Sequence, residues 1–190
     1  MARYSKEHRA ETRETIIKAA SELLREKGFD GFGVADVMAA IGLTHGGFYA
    51  HFADKQALLD AAFAKALQQS PVNFSRLAGA ALAANDAGML AARYLDDARL
   101  ANVASGCATA ALASELHRQP ASAAATFADA SRATVNAIET IPGVGGKGWA
   151  ILAMLAGAKA MMRAIPNGPE RLIIRDEVTH AIRQLANARP

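Results

Sequence analysis

The tightest constraint on this chain is a single glycine, Gly42, standing between two short apolar stripes. Val34, Val37, Met38 and Ile41 before it fall on one side of a short helix, and Phe48 and Phe52 after it share one side of a second, at i and i+4. A chain that buries both stripes against one core has to bend sharply between them, and Gly42 permits the positive φ such a bend needs. Leu43 is expected to plug the angle and Thr44 to cap the second helix. The outer face of that helix is then Thr44, His45, Gly46, Gly47, Tyr49, Ala50 and His51. Two glycines in so short a helix cost about 1 kcal/mol each against alanine, which makes sense where the backbone approaches another surface closely. The layout suits a helix-turn-helix whose second helix enters a groove N-terminus first, with an ordinary helical hairpin as the alternative.

The rest of the chain reads as helix. Apolar residues make up 52% of it but aromatics only 6%, and alanine fills the gap, as in 78–84, 108–113 and 121–125. Ile16, Ala20, Leu23 and Leu24 make one stripe of a helix over 6–27, with Ser5 as its cap and Gly28 as its left-handed end. Asp54 is expected to cap a longer helix that stops at Ser70-Pro71 and spans the boundary between head and body. Further helices are expected near 74–84 (frayed or fused to its neighbour), 87–103, 105–118, 121–140, 147–164 and 171–188. The fold class is therefore all-α: a three-helix helix-turn-helix head over 1–55, and a helical bundle over 56–190.

Charge says less. The net charge of +3 hints at an anionic partner, but residues 1–55 hold eight lysines and arginines against eight acids, so placement matters more than sum. Arg3, Lys6, Arg9 and Arg13 make either a solvated helix face or a tail that reaches phosphates. The single cysteine, Cys107, excludes an intramolecular disulfide and a cysteine-based zinc cluster. The five histidines have no ligand spacing, and no nucleophile, base and orienter come together, so neither a metal site, a cofactor nor an enzyme is expected. Gly143-Val144-Gly145-Gly146-Lys147-Gly148 fits a dinucleotide fingerprint only on paper, because a helix and Ile141-Pro142 precede it instead of a strand. The start of the chain lacks the apolar run of a signal peptide, and no membrane span is expected, so a cytoplasmic protein is the default.

From Arg13 to Leu58 the sequence resembles the TetR/AcrR-type regulators of bacteria. Gly28-Phe29-Asp30, Asp36-Val37, the run from Gly42 to Phe52, and Asp54-Lys55-Gln56-Ala57-Leu58 all fall at that family's spacing. Ser105-Gly106-Cys107 through Leu116 is similar to a subgroup of the same family. The resemblance implies a transcriptional repressor, homodimeric on a palindromic double-stranded operator and released by a small apolar or electrophilic effector. It implies that Tyr49, His51 and Lys55 meet phosphates, that His45, Gly46 and Gly47 lie against base edges, and that Thr44 caps and touches the DNA backbone. Two residues depart from the pattern. Gly33 stands where a capping hydroxyl is common, and Gly47 removes a side chain that would read a base.

In the body, Met89, Tyr94, Cys107, Leu112, Phe127 and Met154 are candidates for lining an effector cavity, methionine being adaptable there. Cys107 is either a reactive thiol at a helix start or a small buried hydrophobe. Trp149, Ala153, Gly157 and Ala160, with Phe127, make a small-residue seam for a dimer contact between helices 121–140 and 147–164. The competing class is a helical protein-interaction module that binds no DNA.

Overall fold

The structure is a computed structural model that describes residues 2–188, with side chains from residue 6 onward. Among the described residues there are nine α-helices, two 3₁₀ segments and no strand. The helices are α1 (Ala2–Lys27), α2 (Val34–Ala40), α3 (Lys55–Ala83), α4 (Gly88–Tyr94), α5 (Asp97–Ala101), α6 (Ala108–Leu112), α7 (Ala121–Ile138), α8 (Gly148–Ala164) and α9 (Pro169–Asn187). The 3₁₀ segments are His45–Ala50 and Ala113–Arg118.

Two cores form, and α3 serves both. Its first half (Leu58, Leu59, Ala62, Phe63, Ala66, Leu67) packs with Ile16, Ala20 and Leu24 of α1, Val37 and Met38 of α2, and Phe48 and Phe52. Its second half (Phe74, Leu77, Ala78, Ala81) joins Leu90 and Tyr94 of α4, Ile138 of α7, Ile151 and Leu155 of α8, and Ile182 of α9. Pro71 was expected to end this helix but lies inside it. An internal proline costs about 3 kcal/mol through its missing N–H and its clash with the preceding turn. Phe74 and Leu77, one turn and two turns on, are nearly fully buried. Burying each is worth about 1.5–3 kcal/mol, so continuing the helix wins.

Other boundaries moved for local reasons. Residues 87–103 split in two because Asp96 caps α5, its carboxylate accepting from the Arg99 N–H at 2.7 Å. The 105–118 helix shrinks to α6 followed by a 3₁₀ turn. α1 begins at Ala2, ahead of Ser5, so Ser5 is not its cap; the side chains of Ser5 and Arg3 lie outside the described residues. Gly28 takes the expected left-handed conformation with φ 75°, and Asp54 caps α3 through the Ala57 N–H at 2.8 Å.

The glycine-rich loop before α8 is a helix connector. A side chain at Gly143 (φ 79°) would strike the Ala186 carbonyl. The Lys147 ammonium donates to the carbonyls of Leu185 (2.7 Å) and Ala188 (2.9 Å), which closes the C-terminal end of α9. No helix of the described residues is long and apolar enough to cross a membrane.

Candidate nucleic-acid interface and body cavity

The head presents one polar face built by the turn at Gly42. Gly42 has φ 69°, and the Leu43 N–H bonds back to the Met38 carbonyl at 2.9 Å, which closes α2 and redirects the chain. Leu43 does not fill the angle between the elements as expected. It is 41% exposed, and Phe48, fully buried and stacked on Phe52 at 5.6 Å, fills that space. Thr44 sits at the cap position of the following segment, but its hydroxyl makes no capping bond. That segment is 3₁₀ and not α, in keeping with its glycine pair and short length. At α2, Gly33 offers no hydroxyl, and Asp36 supplies the other half of the cap by accepting from the Gly33 N–H at 2.7 Å.

Thr44, His45, Gly46, Gly47, Tyr49, Ala50 and Lys55 are all exposed, and His51 is half-buried. Tyr49 is 64% exposed, its ring edge-on to Phe48 at 5.2 Å and to His45 at 5.9 Å. A Cβ placed on Gly46 would meet nothing within 4 Å, and one on Gly47 would make only ordinary contact with Met38 and Thr44. Neither glycine is required by the chain's own packing. Lys55 stands over the Phe32 ring at 5.8 Å, with its ammonium free for a further contact.

Basic groups from α1 border the same face. Arg9 donates to the Ala50 carbonyl, and Arg13 lies over the Phe52 ring at 4.6 Å. Burial and the neighbouring Arg9, Arg13 and His8 hold the His51 imidazole below its usual range. Its Nδ1 is buried without a partner, which leaves Nε2 as the nitrogen available to an external acceptor.

In the body, α3, α4, α5, the 102–107 loop and α8 enclose a cavity of about 260 Å³. Of the six residues expected to line such a cavity, Tyr94 and Cys107 do so. Leu112 does not. It is fully buried in the head core, because five-residue α6 turns it toward α1 and α3; Phe127 packs on the same core from α7. Met89 and Met154 pack at the margin of the body core without reaching the cavity.

The residue that sequence reasoning missed is Lys159. It is 2% exposed and lines the cavity, with its ammonium 3.8 Å from the Tyr94 ring centroid. A desolvated cation over an aromatic face gains about 2 kcal/mol, less than the several kcal/mol that burying an ion costs. Burial accordingly lowers its pKa to about 8. Its signal lay in the spacing: Ile151, Leu155, Lys159 and Met162 share the buried side of α8. The Tyr94 hydroxyl and the Ser70 hydroxyl, also at the cavity, are buried without a hydrogen-bond partner. Burial and the neighbouring Cys107 push the Tyr94 phenol well above its ordinary range, although the thiol does not meet hydrogen-bond geometry with it. Cys107 is within electrostatic reach of Arg25, Lys159 and Arg163, cations that no sequence neighbour of it supplies.

The dimer candidates divide as well. Trp149, Ala153, Gly157 and Ala160 lie on the exposed side of α8, with Met161 beside them, and a Cβ on Gly157 would meet nothing within 4 Å. The exposed large apolar residues nearest in sequence are Leu172 and Ile173 of α9. Phe127, on α7, is half-buried and packs against the head core.

The sharp turn at Gly42 between α2 and the segment His45–Ala50 gives the head the layout of a helix-turn-helix. Residues 16–62 match the family model of bacterial regulatory proteins, tetR family. The HTH-type transcriptional regulator CymR of Pseudomonas putida is 46% identical over 57 residues, which is 30% of this chain and 28% of CymR. Two solved structures share the whole fold. The TetR-family transcriptional regulator of Cytophaga hutchinsonii superposes with a TM-score of 0.73 at 21% identity, over 95% of each chain. The reduced form of Escherichia coli NemR gives 0.71 at 15% identity, over 92% of this chain and 96% of its own.

Proposed function

We propose that this chain is a transcriptional repressor that occupies a palindromic operator as a homodimer and releases it when a small molecule fills the body cavity. The observation that carries the reading is the glycine pair. Gly46 and Gly47 lie on an exposed face, at a conformational cost that no internal contact repays, beside Tyr49, Lys55 and the α1 cations. That combination suits a backbone brought against a polyanion. Tyr49, His51 and Lys55 contact phosphates, His45 reads a base edge, and Thr44 touches the backbone. The division of labour falls at 55/56, with α3 joining the DNA-binding head to the effector and dimerisation body. The dimer seam runs along α8 (Trp149, Ala153, Gly157, Ala160) and continues onto α9 through Leu172 and Ile173. Such a regulator works in the cytoplasm, where the DNA is.

Selection of bound duplexes from a random-sequence library tests this. An inverted repeat should be enriched, with half-sites one helical turn, about 34–36 Å, apart. Failure to enrich any sequence, with retention of protein partners instead, would favour a helical interaction module.

A second account of release rests on Cys107. Arg25 of α1 and Lys159 and Arg163 of α8 lie within electrostatic reach of this cavity-lining thiol, and nearby cations favour the reaction of a cysteine with electrophiles. Diamide or a quinone would then release the operator from the native chain and leave Cys107→Ser bound.

A further inference from the structure

The cavity contains a cation without a counter-ion. Lys159 lies at the cavity wall, almost fully buried, with its ammonium over the face of the Tyr94 ring and the Cys107 thiol within electrostatic reach. The nearest carboxylate that acts on it, Asp96, is already engaged with Arg99, capping its N–H and pairing with its guanidinium at 3.3 Å. Two more polar groups are left unsatisfied at the same cavity, the hydroxyls of Tyr94 and Ser70. Beside them Phe74 and Leu77 supply apolar wall, the Phe74 ring 5.1 Å from that of Tyr94. A buried charge and two buried hydroxyls without partners carry a cost that a ligand supplying acceptors would relieve.

We infer that the cavity binds a small organic monoanion, a carboxylate whose oxygens take the Lys159 ammonium and the Tyr94 and Ser70 hydroxyls while its apolar or aromatic body lies against Phe74 and Leu77. Lys159 is the unpaired cation of the lining, the other, Arg99, being paired with Asp96 at 3.3 Å, and one free ammonium matches one negative charge better than a phosphate dianion. Size agrees. A cavity of about 150 Å³ accepts benzene, so 260 Å³ holds a monocyclic acid. The inference rests on the effector reading above, whose ligand class it names.

The test is calorimetry and thermal melting of the full chain with benzoate, phenylacetate and cyclohexanecarboxylate, each beside its neutral amide. At least one acid should bind, and its amide should bind more weakly or not at all. Lys159→Met, which keeps the side chain's length and removes its charge, should weaken that acid by about 10- to 100-fold, the range for a lost charge-assisted hydrogen bond. If no acid outperforms its amide on the native chain, the anion site is overturned whether or not the variant folds. Unchanged acid affinity in Lys159→Met overturns it too. The operator is followed separately. Acid binding that leaves duplex affinity unaltered upholds the site and contradicts the effector reading, and release by neutral compounds without acid preference does the reverse.

Discussion

Arg25, near the end of α1, donates through its guanidinium to the carbonyl of Ala104 at 2.7 Å, tying the head's first helix to the loop that closes the body cavity. The same guanidinium, 4% exposed, also donates to the carbonyls of Ser21 (3.1 Å) and Ala66 (3.2 Å) and to Gln69 Oε1 (2.5 Å). Ser105, Gly106 and Cys107, which follow Ala104 directly, line the cavity. A ligand that displaces this loop therefore acts on α1 and α3 together through one buried side chain. That is the coupling an allosteric regulator needs, provided the ligand prefers the displaced arrangement.

Arg25→Met should separate the two ends of the molecule. Ligand affinity at the cavity should stay within a few-fold, while the ratio of duplex affinities with and without ligand moves toward one. Melting should show a loss on the order of 1–3 kcal/mol from carbonyls left unpaired. Coupling that persists undiminished in the variant would show that the signal travels elsewhere.

Lys159 gives a pH signature in stability. Its pKa falls from 10.5 in the unfolded chain to about 8 in the folded one, with burial as the first cause. Below pH 8 both states hold the proton and the penalty of burying the charge is felt in full. Between about 8 and 10.5 the unfolded chain binds more protons, so stability rises with pH. Lys159→Met should therefore be more stable than the native chain at pH 7, by on the order of 2–3 kcal/mol. The gap should narrow as pH climbs through that window. Burial raises the Tyr94 phenol in both chains, so its loss of stability above pH 10 cancels in the comparison. A gap that does not change between pH 7 and 10 would show that folding leaves the lysine's pKa where it is in the unfolded chain, its burial offset by a partner.

Much of this was legible in the sequence, and the exceptions have physical causes. The Gly42 bend and the inward pair Phe48 and Phe52 followed from spacing, because a short stripe has only one way to bury itself. The continuity of α3 through Pro71 did not, since a proline's local cost is visible in the sequence and the long-range burial of Phe74 and Leu77 is not. Leu112 and Phe127 looked like cavity residues because apolar spacing marks burial without saying in which core. Lys159 and Arg25 were readable as lone cations on apolar helix faces, but their partners come from distant elements.

On the DNA face, Tyr49→Ala and Lys55→Ala should weaken binding to every duplex alike, because phosphates are the same at every step. His45→Ala should relax preference at one position in each half-site, at about 1–3 kcal/mol for the favoured base. Competition against duplexes varied one base pair at a time separates the two patterns. The roles are reversed if Lys55→Ala shifts sequence preference and His45→Ala does not.

Gly157 tests the seam. Its Cα faces open space within the protomer, so Gly157→Arg leaves the fold and its melting cooperativity intact. In a dimer packed through α8 the added side chain and charge meet their own symmetry mates, and sedimentation should show the variant dissociating at concentrations where the native chain is dimeric. A native chain that stays monomeric at micromolar concentration contradicts the seam outright.

The central claim is that the face around Gly46 and Gly47 binds duplex DNA, and its most direct measurement is affinity for the selected inverted repeat as salt is varied, with a footprint at one salt concentration. The log–log slope should be steep, about −0.9 per phosphate contact, and shallower by about one such unit per half-site in Lys55→Ala. Protection should be two-fold symmetric. Affinity that is flat in salt, or a footprint without that symmetry, would contradict the account.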